Sequence, residues 1–277
     1  MSERVGMDLS IVIPVYNQVG YTRICIESLL PTLAGKCEII IISNGSTDDT
    51  GDYISGFPDI KLIVNKENRG CAFAWNQGVM TSTGQWVAIL NNDIILSRGW
   101  FEGLLAFAEK KGADIACPAY REGEYNYDIA DYSTDYTRHM QKVSRMGVAH
   151  GICFMVHRRV FERIGLFDEK FRVGQYEDAD FFRRARHAGF TLGITGRSFI
   201  HHFGSATQKS LQQSGETEYY GNENRAYYRN KHGLSFLKRF LEKRRERLQA
   251  FRWRMSEKIR YGHTLIEKWY DRQPRYF

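Results

Sequence analysis

Gln85-Trp-Val-Ala-Ile-Leu-Asn-Asn-Asp-Ile-Ile-Leu96 is the stretch from which the rest of the chain is best read. An apolar run of strand length that stops abruptly at three polar residues reads as a central strand of a parallel sheet whose carboxyl end meets solvent. In open α/β sheets ligands bind at that end. Asn91, Asn92 and Asp93 therefore sit where oxygen ligands could meet a hard cation or a phosphate, with Asp93 the only charged one. Asn-Asn-Asp is equally good turn chemistry, so the stretch fixes the fold class more firmly than the function.

Outward from this strand the pattern repeats. Leu9 to Val15 is a β-branched strand ending near Pro14, followed by Tyr16-Asn17 and a helix that Pro31 stops. Glu38 to Ser43 is a second strand, and the loop from Asn44 to Asp49 leads to a helix with Ser46 or Thr47 as N-cap. Ile60 to Val64 reads as an edge strand, and Asn68-Arg69-Gly70 opens a helix from Cys71 to about Ser82. After the central strand come a helix from Trp100 to Lys111 and a short strand from Ala113 to Ala116. Successive strand-helix units predict an α/β, Rossmann-like, mostly parallel sheet flanked by helices.

The segment from Tyr120 to Arg145 is polar and tyrosine-rich and shows no clear period. It reads as a long loop, either a sugar-contacting surface or an Ω-loop packed on itself. Val148 to Val156 is again a strand, Arg159 to Ile164 a short helix, and a helix runs from Tyr176-Glu177-Asp178-Ala179-Asp180 to Gly189. Three carboxylates in a first helical turn also suit the helix dipole, so capping alone is one account of them. Two short strands (Thr191 to Ile194, Ser198 to Ile200) lead to His201-His202-Phe-Gly-Ser-Ala-Thr207, and the chain beyond Glu216 reads as helical.

Composition bounds the options. With 277 residues and 43% hydrophobic content the chain is long enough for a full core in one large or two small domains. It has no membrane-spanning stretch and no signal-peptide core, which predicts a cytoplasmic location. Five scattered cysteines without a CxxC pair read as reduced thiols rather than disulfides or zinc ligands. The net charge of +7 is concentrated: residues 231–277 carry 14 Lys and Arg against 5 Asp and Glu, leaving 25 against 27 in residues 1–230. From Leu234 to Tyr270, apolar residues such as Phe236, Phe240, Leu248 and Phe251 alternate with Lys and Arg at helical spacing. Such a tail either lies on an anionic membrane face or packs on protein, including a second copy of the chain. No nucleic-acid module accompanies the charge, so nucleic acid is not expected as a partner.

Several stretches together resemble family 2 glycosyltransferases, the inverting enzymes of the GT-A fold. Ser10-Ile-Val-Ile-Pro-Val-Tyr-Asn17, Ser43-Asn-Gly-Ser-Thr-Asp48 and Asn68-Arg-Gly70 with Asn76 are similar to the family's nucleotide-binding half. Asn91-Asn92-Asp93 resembles a variant of its DxD metal motif, and Gly165-Leu-Phe-Asp168 with Glu177-Asp178-Ala-Asp180 its acceptor-side ED motif in the form of bacterial rhamnosyltransferase-like members. His202-Phe-Gly-Ser-Ala-Thr207 resembles its later histidine motif. The resemblance implies a catalytic domain over about 1–230, with a nucleotide-binding half to about 117, an acceptor half from about 118, and a basic helical extension over 231–277.

The resemblance further implies transfer of a sugar from a nucleoside diphosphate sugar, UDP- or dTDP-linked, to a hydroxyl of a glycan, a lipid-linked sugar or a protein. Asp178 would be the base and Glu177 would orient the acceptor. Pro14, Tyr16, Asn17, Asn44, Asn68, Arg69, Gly70, Asn76, Asn91 and Asn92 would bind the donor, while Asp93 and His202 would hold Mn2+ or Mg2+. The chain departs from the family twice: Ser43 stands where most members carry an acidic residue that contacts the base, and Asn91 where they carry the first Asp of the metal motif. Two rival readings are a nucleotidyltransferase, against which Pro14-Val15-Tyr16-Asn17-Gln18 is no glycine-rich phosphate loop, and an inactive module that only binds partners.

Overall fold

Period-two alternation buries both faces of the central strands, and this organises the molecule. In the computed structural model, which describes residues 9–33, 37–204, 220–270 and 273–274, β1 (Leu9–Val15) lies between β2 (Cys37–Asn44) and β4 (Trp86–Leu90), parallel to both. β3 (Ile60–Asn65) extends the parallel set beyond β2 at the sheet edge. Ile11, Ile13 and Val15 point to one side, where α1 (Val19–Leu29) and α4 (Trp100–Lys111) supply Cys25, Ile26, Leu29, Trp100 and Leu104. Val12, Ile40 and Ile42 point to the other, against Ala74, Trp75 and Val79 of α3 (Cys71–Thr81). Burial on both faces is what an unbroken apolar strand requires. At Gly78 of α3 a side chain would run into Val12, so glycine sets how closely that helix lies on the sheet.

On the far side of β4 the sheet becomes mixed. β8 (Cys153–His157) is antiparallel to β4 and to the start of β6 (Ile115–Gly123). β9 (Leu192–His202) runs parallel along β6, with a register shift between Pro118 and Ala119. β5 (Ile94–Leu96) and β7 (Ser144–Met146) pair antiparallel with β9. The carboxyl ends of β1, β2, β4, β6 and β9 and the start of β8 thus share one edge of the sheet, the edge at which Asn91, Asn92 and Asp93 follow β4. Among the described residues the other α-helices are α2 (Thr50–Ser55), α5 (Ile129–Met140), α6 (Arg158–Ile164), α7 (Glu177–His187), α8 (Gly221–Lys231) and α9 (Phe236–Tyr261).

Several elements differ from the sequence reading. The stretch from Tyr120 to Arg145 is not a loop: β6 continues to Gly123, Asp128 caps α5 by accepting from the Asp131 amide at 2.9 Å, and β7 follows. Tyr132, Tyr136 and Met140 recur every four residues and face the interior, where Tyr136 packs on Phe199 and donates to the Thr264 carbonyl at 2.9 Å. Those tyrosines are core rather than a sugar platform. The helix after β2 starts at Thr50 with Asp49, not Ser46 or Thr47, at its N-cap position, because the Thr47 amide is taken by Asn17 Oδ1 (2.7 Å) and Asp48 accepts from the Thr50 amide (3.1 Å).

Only the end of the stretch from Val148 to Val156 is strand, and the two short strands expected after Gly189 form the single β9. The tail is not helical throughout. α9 ends at Gly262 in the left-handed region (φ 74°), and β10 (Ile266–Tyr270) then joins the sheet parallel to β6, with β11 (Gln273–Pro274) beside it. Ser205 to Thr207 of the histidine motif, the start of the helix expected from Glu216 and the side chain of Trp269 lie outside the described residues.

A candidate active site at the carboxyl edge of the sheet

The loop after β1 is held by the loop after β2. Asn17 and Gln18 adopt positive φ (52° and 62°), uncommon for residues with a side chain. The conformation is fixed because Asn17 Oδ1 accepts from the Thr47 amide, the Asn17 amide donates to Ser46 Oγ (2.9 Å), and Asp48 Oδ2 accepts from the Val19 amide (3.0 Å). Pro14 stands opposite Ile42 in the β1–β2 register, with Tyr16 two residues beyond.

Asn44 binds the third loop. Its amide group donates to Asn68 Oδ1 (2.9 Å) and to the Gly70 carbonyl (3.1 Å), and its Oδ1 accepts from Asn65 Nδ2 (3.0 Å) and the Arg69 amide (3.3 Å). Gly70 has φ 90°, and a side chain there would press on the Val173 backbone. The exposed Arg69 guanidinium stacks over Phe73 at 3.6 Å. Asn76 reaches the opposite half: it donates to the Phe167 carbonyl (2.9 Å) and Glu169 (2.8 Å) and accepts from the Phe167 amide (2.9 Å). Asn44 and Asn76 thus shape the wall through hydrogen bonds inside the protein. Asn92 likewise donates to Thr22 Oγ1 of α1 (3.0 Å).

Asp93 and His202 come together through the sheet. In the β5–β9 ladder Ile94 pairs with His202, and the Phe203 amide donates to the Asp93 carbonyl at 3.0 Å, so the two side chains meet, His202 Nε2 lying 3.4 Å from Asp93 Oδ1. On the other side of the ring His202 Nδ1 lies 3.2 Å from Glu122 Oε2, because Glu122 and His202 are register partners of β6 and β9. Burial by itself would lower the imidazole, but the hydrogen bonds and charges of Asp93 and Glu122 outweigh it and raise His202 to about 9. Glu122 also holds Lys268 of β10 at 2.9 Å. A carboxylate on one ring nitrogen, fixing the ring so that the other points at a second carboxylate, is the arrangement that orients a metal-ligating histidine. The donor set, one carboxylate oxygen and one imidazole nitrogen, fits a divalent cation such as Mn2+.

Glu177 and Asp178 open α7 behind a segment of unusual backbone. Val173, Gln175 and Tyr176 all have positive φ (61°, 78° and 76°), a conformation that costs energy for a β-branched residue. Asn224 of α8 holds this segment, accepting from the Arg172 amide (3.0 Å) and donating to the carbonyls of Arg172 and Gly174 (2.9 Å each). Burial, and then the charge of Asp178, push the Glu177 carboxyl well up, and one of its oxygens is buried without a partner. Burial also raises Asp178, against hydrogen bonds from the Ala179 and Gly151 amides. Its carboxylate lies so tightly on Gly151 that a Cβ there would collide with it. Gly151 precedes Ile152, whose carbonyl accepts from the Asn91 amide at 2.9 Å, so Asp178 rests on the same sheet edge from which Asp93 projects. Asp180 has a different role: fully buried, it pairs with Arg184, Lys231 and His232, all at 2.8 Å, and ties α8 to α7.

Asp178 lines a cavity of about 520 Å³ between this edge and helices α8 and α9; Asp93 does not line it. His150, half-buried and lowered to about 4 by desolvation, lies in its wall and stacks edge-on against Tyr120, which in turn lies edge-on to His202. Glu122 and His150 were not among the residues the sequence pointed to. Glu122 falls in the stretch read as loop, and only its register with β9 gives it a place beside the metal-type pair.

Parallel strands with their carboxyl ends gathered around an Asp-His pair, next to a wall of antiparallel strands, define a protein of the GT-A class. The fold is similar to that of S. aureus TarS 1-349 (TM-score 0.57, 15% identity, covering 71% of this chain and 60% of that one). It is also similar to that of GalNAc-T7 solved with UDP, GalNAc and Mn2+ (TM-score 0.58, 17% identity, 73% of this chain and 44% of that one). In sequence, "Glycosyl transferase family 2" matches residues 10–165, more than half of the chain, and the chain belongs to that family. The matched span includes Asp93 and stops before Asp178 and His202. Glycosyltransferase GlyG of Streptococcus pneumoniae is 32% identical over 127 residues, 44% of this chain and 41% of GlyG, so the chain spans less than half of that relative. The glycosyltransferase RP339 of Rickettsia prowazekii is 27% identical over 220 residues, 76% of this chain and 69% of RP339. Among the described residues no helix is long and apolar enough to cross a membrane.

Proposed function

We propose that the chain transfers a sugar from a UDP- or dTDP-linked donor to an acceptor hydroxyl with inversion of the anomeric centre, with Asp178 as the base. The single observation that carries the reading is the meeting of Asp93 and His202 on the sheet edge that also seats Asp178 on Gly151. The donor would lie over the loops after β1, β2 and β3, which Asn17, Asn44 and Asn68 lock together. Asp93 and His202 would hold a divalent cation, which when bound supplies the positive charge that stabilises a departing diphosphate. Asp178, raised by burial, takes the acceptor proton as the hydroxyl attacks from the face opposite the leaving group. Glu177 orients the acceptor, and Asn224 sets the position of both carboxylates through the segment before α7.

The test is donor turnover with Mn2+ across a set of UDP- and dTDP-sugars. Wild type is expected to hydrolyse or transfer from at least one donor, Asp178→Asn to lose transfer by about 100-fold or more, and Asp93→Ala to lose metal-dependent turnover. Full activity in either variant removes that residue from the reaction, and silence of wild type towards every donor favours a module that only binds.

We also propose that the outer face of α9 contacts an anionic membrane surface. Phe236, Leu237, Leu241, Leu248, Met255 and Ile259 fall on one side of the helix and are 46–87% exposed, with Arg244 and Arg247 among them.

A further inference from the structure

The cavity beside Asp178 carries more positive charge than the protein itself neutralises. Its walls include Arg183, Arg186, Arg225, Arg229, Arg239 and Lys243, against Asp178, Glu242 and Glu246. Glu242 is occupied by Arg183 at 3.2 Å. Among the described residues no carboxylate lies within 4.0 Å of Arg186, Arg225, Arg229, Arg239 or Lys243, and Arg186 feels the nearby charges of Glu242 and Glu246. Buried nitrogens are left over as well: among the protein atoms Nε of Arg183 and of Arg229 lacks a hydrogen-bond partner, an arrangement that costs free energy unless a water or a ligand supplies an acceptor. Guanidinium groups brought in from α7, α8 and α9 suit the several oxygens of a phosphate, and together they exceed what one carboxylate would balance.

From this we infer that the cavity is the acceptor subsite and that it takes an acceptor bearing a phosphate or diphosphate group, held by Arg225, Arg229 and their neighbours while its hydroxyl lies at Asp178. The assignment rests on the reading of Asp178 as the base; the anion-binding half of it stands on the cavity alone. The same chemistry would come from a prenyl-diphosphate-linked sugar or from a phosphate carried on a glycan.

Calorimetric titration of the full chain in EDTA, where no cation can hold a diphosphate at Asp93, tests this with two probes, inorganic pyrophosphate and geranyl diphosphate. Wild type is expected to bind both at one site. Arg225→Gln/Arg229→Gln, checked for an unchanged melting profile, is expected to bind at least about tenfold more weakly, and Arg225→Lys/Arg229→Lys to recover most of the loss. Lys243→Gln, a change at an exposed position that leaves the core intact, is expected to weaken binding about threefold. Tighter binding of geranyl diphosphate assigns the site to a lipid-linked acceptor, and equal binding to a glycan-borne phosphate. No binding by wild type, or equal binding by wild type and the glutamine variants, overturns the proposal. Donor hydrolysis by wild type with Mn2+ separates the two readings: hydrolysis without anion binding sinks the cavity assignment alone, whereas anion binding without hydrolysis of any donor sinks the transferase reading and leaves the anion site standing.

Discussion

Asp178 is half-buried, and as the proposed base it must be ionised to accept a proton, which sets a pH dependence. Burial raises its carboxyl above the ordinary carboxylate range, as it does the neighbouring Glu177. A raised base is protonated over more of the acidic range, so kcat/KM for transfer is predicted to rise with pH through that elevated value, with its acid limb displaced upward from where an exposed aspartate would put it. A pH profile that stays flat down to the ordinary carboxylate range would contradict the role. The sequence singled out Asp93, Asp178 and His202 because each lies in a short motif whose order along the chain carries information, and the structure brings Asp93 and His202 into contact. Glu122 and His150 were not. Glu122 acquires its place only when β6 and β9 pair in a particular register, and His150 only when β8 brings it under Tyr120, relations that no local pattern encodes. The sequence pointed to Asn76 as a donor contact, whereas its side-chain partners in the structure are Phe167 and Glu169.

At the scale of elements, the parallel half of the sheet could be read residue by residue, since each strand is an apolar run buried on both faces. α5 was hidden because its helical face consists of Tyr132, Tyr136 and Met140 spaced among polar residues, and two of these three are tyrosines that read as surface. β10 was hidden in a basic tail whose helical period ends only at Gly262. What returns the tail to the sheet is a buried pair: Arg145 of β7 donates to both oxygens of Glu257 (2.8 and 2.7 Å), with the side chains only 5% and 6% exposed, and Glu257 also accepts from the Leu265 amide ahead of β10. Removing one partner leaves a buried charge unmatched, so Glu257→Gln is predicted to cost about 3–5 kcal/mol in chemical denaturation. A loss below about 1 kcal/mol would show that the pair does not anchor the tail.

For the whole molecule, the basic extension adds two surfaces to the catalytic sheet. Its inner side closes the cavity beside Asp178, and its outer side presents the exposed apolar row of α9. A helix of this kind binds anionic lipid through apolar burial and charge together, so the chain is predicted to sediment with vesicles containing phosphatidylserine and to be released by high salt. Phe236→Ser/Leu237→Ser/Ile259→Ser is predicted to remain in the supernatant, whereas equal pelleting of wild type and variant would exclude membrane contact through this face. A divalent cation held by Asp93 and His202, where β5 pairs with β9, is central to the proposed reaction. Among the described residues, Asp135, His139 and His263 also bring three ligand atoms within 4.8 Å of one another, at the surface around α5. The anomalous difference map of a crystal grown with UDP and Mn2+, recorded at the manganese edge, decides between them. The predicted result is a peak bonded to Asp93 and His202; a peak only at Asp135, His139 and His263, or none beside Asp93, would contradict the account.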